Sequence, residues 1–165
     1  MKQIYIPRYN LILQHPLFHK HYKQILLWEK NRHFCHHDIA HFLAVARIAV
    51  IINNKEHYHI DEEIIYAAAL LHDIGRCVQY ETEVDHSAAS IPIARVILMD
   101  CKFSVEETSI ISNAIKSHRD PAVKAEQNLS GLIYRADKMS RNCFCCMVSD
   151  QCNWPKEKRR STLIY

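Results

Sequence analysis

Apolar side chains recur every three or four residues along almost the whole chain, the period of α-helices that bury one face. Pro16 to Trp28 places Leu17, Tyr22, Ile25, Leu26 and Trp28 on one broad apolar side. Asp38 predicts the N-cap of a second helix running to about Ile52, with Ile39, Phe42, Val45, Ala46 and Ala49 inward and His41 one turn from Val45. Asp61 predicts another helix start, with Glu62 and Glu63 in the first turn and Gly75 at the far end. His86 to Met99 also reads as helix, with Pro92 in its first turn or at a kink. Ser104-Val105-Glu106-Glu107 has the form of a capping box, and its helix carries Ile111, Ile115 and His118 before Asp120-Pro121 stops it. Ser130 predicts the cap of a last helix, on which Ile133, Asp137 and Ser140 share a face. With no internal repeat and no linker composition, the expectation is an all-α, single-domain bundle over residues 1–165.

Composition narrows this only slightly. Two glycines, Gly75 and Gly131, leave no room for a turn-rich β architecture or a Gly-rich phosphate loop. A formal charge of +3 suits a small anionic ligand and makes no case for nucleic acid. The first ten residues mix Lys2, Gln3, Pro7 and Arg8 among apolar ones, unlike a secretory signal. No apolar run reaches the ~18 residues of a membrane span, so a cytoplasmic protein is expected. Seven cysteines, an odd number, then point to reduced thiols or metal ligation.

Several polar residues interrupt the apolar faces. His72-Asp73 closes the run Ala67-Ala68-Ala69-Leu70-Leu71, where a polar pair has little packing use. Neighbouring side chains on a helix diverge by ~100°, so they converge only on an object over their shared edge. A metal ion is such an object, taking an imidazole nitrogen and a carboxylate oxygen. Asp137, on the inner face of its helix, needs a cationic partner: a metal, Arg47 or Arg95. His37 and His41 stand at i, i+4, a spacing that can chelate an ion by itself.

His41, His72-Asp73, His86, His118 and Asp137 occur in an order that resembles the HD-domain superfamily of metal-dependent phosphohydrolases, over roughly residues 33 to 142. The resemblance implies a helical bundle in which His41, His72, Asp73 and Asp137 bind one divalent transition metal (Mn, Fe, Co, Ni or Zn). It implies roles for His86 and His118 at a second ion or at substrate. Arg119 departs from the pattern, since many relatives carry a second histidine after the one matched by His118. Neither glycine is followed by Tyr-Pro, which sets aside the cyclic-dinucleotide phosphodiesterases. Ile-Gly-Arg after His72-Asp73 sets aside the alarmone hydrolases.

The expected reaction is hydrolysis of a phosphoester or phosphoanhydride in a small metabolite, a nucleotide being the preferred class. Asp73 is expected to ligate the ion and orient water, with Arg76, Lys116 and Arg119 offsetting charge on the phosphoryl group. Cys143 and Cys146 form a C-x2-C pair followed by Cys152, in a Cys-rich extension over 143–165 that resembles the tail of a bacterial subset carrying Phe34-Cys35. These three with Cys35 would complete a four-cysteine zinc or iron–sulfur site. Two rival classes are a di-iron oxygenase on the same scaffold and a non-catalytic sensor built on the cysteines.

Overall fold

A computed structural model describes residues 5–165 and is all-helical over them. The α-helices are α1 (Tyr9–Gln14), α2 (Pro16–Trp28), α3 (Ile39–Lys55), α4 (Glu62–Leu71), α5 (Arg76–Thr82), α6 (His86–Asp100), α7 (Val105–Ser117) and α8 (Leu129–Met139). Short 3-10 turns occur at Pro121–Ala125, Cys143–Cys145, Ser149–Gln151 and Lys156–Lys158. No helix among the described residues is long and apolar enough to cross a membrane.

Helix α4 lies at the centre. Ala67, Ala68, Ala69, Leu70 and Leu71 are all fully buried, and three consecutive alanines let α3, α7 and α8 pack close to its backbone. Helix α3 packs on α4 and α8, and α6 on α5 and α7. Most helix starts have side-chain caps. Asp38 accepts from the amide of His41 at 2.9 Å, and Asp61 from that of Glu63 at 2.7 Å. The Ser104–Glu107 capping box is present. Before α1, Arg8 pairs with both Glu63 and Glu107, tying the start of the described chain to α4 and α7.

The sequence reading needs four corrections. Leu26 and Trp28 are exposed, because α2 buries only the face of Phe18 and Ile25, and Trp28 meets α5 at its edge, beside Tyr80 and Glu81. Asn128, two residues before Ser130, caps α8 by accepting from Gly131 at 3.2 Å. Pro92 sits inside α6 rather than in its first turn. The carbonyl it deprives is that of Ala88, an exposed residue, so water can replace the lost bond. Gly75 does not end α4, which stops at Leu71 with His72 as C-cap. Its φ of −83° is open to any residue. What fixes a glycine there is contact: an added Cβ would lie 2.4 Å from the Ser90 amide nitrogen and 2.7 Å from the His86 carbonyl oxygen. Gly75 therefore lets the turn after His72-Asp73 lie against the first turn of α6, which carries His86.

Candidate metal centre

His72-Asp73 forms the turn between α4 and α5, and both side chains are buried. His41 reaches them from the first turn of α3, His86 from that of α6, His118 from the C-cap of α7, and Asp137 from the last turn of α8. The Asp73 carboxylate divides the cluster. Its Oδ2 is 3.2 Å from His72 Nε2 and 3.6 Å from His41 Nε2. Its Oδ1 is 3.0 Å from His86 Nε2 and 3.6 Å from His118 Nε2. Asp137 Oδ1 lies 3.5 Å from His41 Nε2 and 3.8 Å from His72 Nε2. Two groups, His41-His72-Asp73 and Asp73-His86-His118, have the spacing to hold an ion, and they share Asp73.

The histidines are oriented from behind by acceptors. His72 Nδ1 meets the Ala69 carbonyl at 2.7 Å, and His118 Nδ1 meets that of Ile115 at 2.6 Å. His86 Nδ1 meets Gln79 Oε1 at 2.6 Å. A carbonyl oxygen only accepts, so each of these rings carries its proton on Nδ1 and presents the Nε2 lone pair inward when neutral. For His41 the acceptor is Ser140 Oγ at 3.1 Å, whose own hydrogen goes to the Asp137 carbonyl at 2.7 Å. His86 and His118 then face each other with two lone pairs 3.3 Å apart. His72 Nε2 is buried without a hydrogen-bond partner. Such a set calls for a cation at its middle, and borderline nitrogen with carboxylate oxygen suits a divalent transition metal.

The electrostatics agree. Burial opposes charge on Asp73, but the positive charge of Arg76, and that of His72 when protonated, outweighs it and holds this carboxyl well below its ordinary range. Burial likewise opposes charge on Asp137, and Lys138, His72 and Arg141 overcome it to keep the group ionised. Burial pushes His41 and His86 down, toward the neutral ligating form. Burial would depress His72 too, but Asp73 and Asp137 raise it. Positive charge is therefore favoured where the unpartnered Nε2 points.

A fifth histidine belongs to this assembly. His37 lies in the loop before Asp38, off the helix, yet its ring stands 5.5 Å from that of His41. Its Nδ1 meets Glu29 Oε1 at 2.5 Å, and its Nε2 points to Asp73 Oδ2 at 3.8 Å. Glu29 is buried and also accepts from the His37 amide and the Tyr80 hydroxyl. Burial works against ionised Glu29, but these donors prevail and lower it to about 2. Burial drives His37 down to about 4. The i, i+4 spacing of His37 and His41 was the available signal for His37, whereas nothing in the sequence marked Glu29, Gln79 or Tyr80.

A cavity of about 260 Å³ opens over the centre, reaching His37, His86, His118 and Asp137. Arg32, Arg76, Arg119, Lys138 and Arg141 surround it, and Asn153 and Trp154 form a wall. Arg76 Nε is 3.1 Å from Asp73 Oδ1. Arg119 lines the cavity while pairing with Asp85 at 2.6 Å. Lys116 does not line it: α7 turns Ile115 and His118 inward and leaves Lys116 exposed. The basic residues at Asp137 are Lys138, 2.5 Å away, and Arg141, 3.5 Å away, instead of Arg47 or Arg95.

Cys35, Cys143, Cys146 and Cys152 line one larger cavity of about 460 Å³, but no three cysteine sulfurs among the described residues lie within 4.8 Å of one another. Cys143 and Cys146 stand at the two ends of one 3-10 turn, the Cys146 amide donating to the Cys143 carbonyl at 3.3 Å.

Comparison with known proteins adds four findings. A family model described as HD domain matches residues 38–142. An uncharacterised protein of Clostridium beijerinckii is 42% identical over 158 residues, 96% of this chain and 99% of that protein. Ribonuclease Y 1 of Pediococcus pentosaceus is 30% identical over 102 residues, 61% of this chain but 17% of that protein. Among solved structures, a predicted HD superfamily hydrolase from an uncultured Thermotogales bacterium superposes with a TM-score of 0.66 at 26% identity, over 93% of this chain and 82% of that one.

Proposed function

This chain belongs to the HD domain family, and on that premise we propose that it is a metal-dependent phosphohydrolase whose substrate is a small nucleotide. The observation that carries the reading is the cavity over the His/Asp centre. Five cationic side chains surround it against one lining carboxylate, Asp137, a balance that recruits phosphate. The hydrolase relative speaks for hydrolysis over the oxygenase and sensor readings.

His41, His72, Asp73 and Asp137 would hold one ion, and Asp73 with His86 and His118 a second. Bound there, a divalent metal supplies Lewis acidity, lowering the pKa of water and drawing charge from a phosphoryl oxygen. The protein's own groups do the rest. Asp73, held ionised, accepts a hydrogen bond from the attacking water and orients it. His37, neutral and fixed by Glu29, presents a second acceptor beside it. Arg76 offers its guanidinium fork to the phosphoryl oxygens, and Arg119 and Lys138 offset the remaining charge. Trp154 provides a face on which a base can stack, and Asn153 donors and acceptors to read its edge.

The test is a panel of nucleoside mono-, di- and triphosphates, a simple aryl phosphate and an RNA oligonucleotide, each with Mn, Fe, Co, Ni, Zn or Mg. Metal-dependent turnover of a nucleotide, abolished in Asp73→Ala together with bound metal, is the expected result. Cleavage of RNA with nucleotides untouched would overturn the substrate class. Near-native turnover in Asp73→Ala would overturn the mechanism.

A further inference from the structure

Five of the seven cysteines, Cys35, Cys143, Cys145, Cys146 and Cys152, line the 460 Å³ cavity, together with His41 and Ala44 of α3 and with Ser140 and Arg141. The segment that carries four of them has little apolar packing. None of its three 3-10 turns contains a buried residue, Met147 is 97% exposed, and Tyr165 alone packs on the core cluster. Arg159 folds it on itself, donating to the carbonyls of Trp154, Ser149 and Cys152 at 2.6–2.9 Å, and its polar ties to the bundle are few: Gln151 Oε1 to His33 Nε2 at 2.8 Å and the Tyr165 ring under Lys55. A segment without a core of its own is commonly held by a disulfide or a metal. All seven cysteines are free thiols.

The spacing of the sulfurs selects among metals. A single tetrahedral ion with ~2.3 Å bonds brings its thiolates to about 3.8 Å of one another. Here no three cysteine sulfurs come within 4.8 Å. An iron–sulfur cluster distributes its four thiolates over several irons around a larger inorganic core, which a cavity of this size accommodates. Cys35, Cys143 and Cys152 line both this cavity and the one over the His/Asp centre, and Cys146 completes C-x2-C with Cys143. Cys145 donates its S–H to the Asn142 carbonyl at 3.6 Å, which leaves it out of the set.

We propose that Cys35, Cys143, Cys146 and Cys152 bind an iron–sulfur cluster in this cavity. Binding releases four thiol protons, and the irons take the four thiolates. The cluster joins the loop before α3, which carries His37, to the segment after α8, which carries Trp154. It thus serves as a brace for one wall of the cavity over the His/Asp centre.

The experiment is reconstitution of the whole protein under argon with ferrous iron, ferric iron and inorganic sulfide, followed by desalting. Labile sulfide retained with at least as much iron, and visible charge-transfer absorption, is the expected result. Sulfide distinguishes the cluster from iron at the His/Asp centre. Cys143→Ser and Cys152→Ser should lose the sulfide while keeping the helical circular dichroism of the parent, and Cys145→Ser should keep it. No retained sulfide in the parent protein would overturn the proposal, as would full retention in both Cys143→Ser and Cys152→Ser.

Discussion

Gly75→Ala separates contact from backbone freedom at the turn that carries the proposed ligands His72 and Asp73. Alanine adopts φ −83°, ψ 2° without difficulty, so the substitution costs nothing in backbone conformation. The added methyl would sit 2.4 Å from Ser90 N, 2.7 Å from Ala89 C and 2.7 Å from His86 O, where ordinary contact begins at 3.4 Å. The first turn of α6 must retreat by about 1 Å, and all three atoms are backbone, so no side-chain rotation relieves the clash. The hydrogen bonds from Gly75 N to Ser90 Oγ at 2.8 Å and from Ser90 Oγ to the His72 carbonyl at 3.1 Å stretch with it. Overpacking of this kind costs about 1–3 kcal/mol, which for a domain of this size lowers Tm by roughly 3–10 °C. His86 moves with its helix away from Asp73 Oδ1, so metal associated with His86 and His118 should weaken more than metal at His41 and His72. Thermal unfolding and metal titration by calorimetry read the two effects. A Tm within 1 °C of the parent with unchanged metal stoichiometry and affinity would refute the reasoning.

Other outcomes follow from the same contacts. Ser140→Ala removes the acceptor that sets the His41 tautomer, and loss of such an orienting partner is expected to weaken metal binding ~10–100-fold; unchanged affinity by competition with a chelator would argue against the tautomer assignment. Trp154→Ala should raise KM for a nucleotide and leave that for a ring-free alkyl phosphate unchanged. Glu29, lowered to about 2, contributes stability in full above its ordinary value of 4.5 and loses it as pH falls toward 2. Glu29→Gln should therefore be less stable at neutral pH but show a shallower loss across that acid window in denaturant melts, and a parallel slope would contradict the pairing with His37.

Much of this was legible from the amino-acid order because helix starts are local. Asp38, Asp61 and Ser104 were recognisable as caps from their own neighbours, and a capped helix of known period fixes which residues face inward. His41, His118 and Asp137 were thereby turned toward the core before any tertiary information. The less legible features depend on contacts between distant segments. Leu26 and Trp28 look buried by period, but whether a second face of α2 is covered depends on its neighbours. Gly75 looks like a helix end, and only the approach of α6 shows that it is a spacer. His37 gains its role from Glu29 and Asp73, which lie 8 residues before and 36 residues after it. Lys116 lies close in sequence to His118, but helical rotation places it outside.

The side chains gathered by the centre run from His41 to Asp137 and come from α3, the α4–α5 turn, α6, α7 and α8. No two neighbouring helices can assemble them, so the complete donor set exists only after nearly all of the chain has taken its final topology. An ion that needs that set has little hold on a half-formed chain. It should leave the refolding limb of a chevron plot almost unchanged and slow the unfolding limb, acting as a late lock. Protein carrying metal would then outlast the metal-free form under proteolysis or heat by its rate of opening, whatever the difference in equilibrium stability.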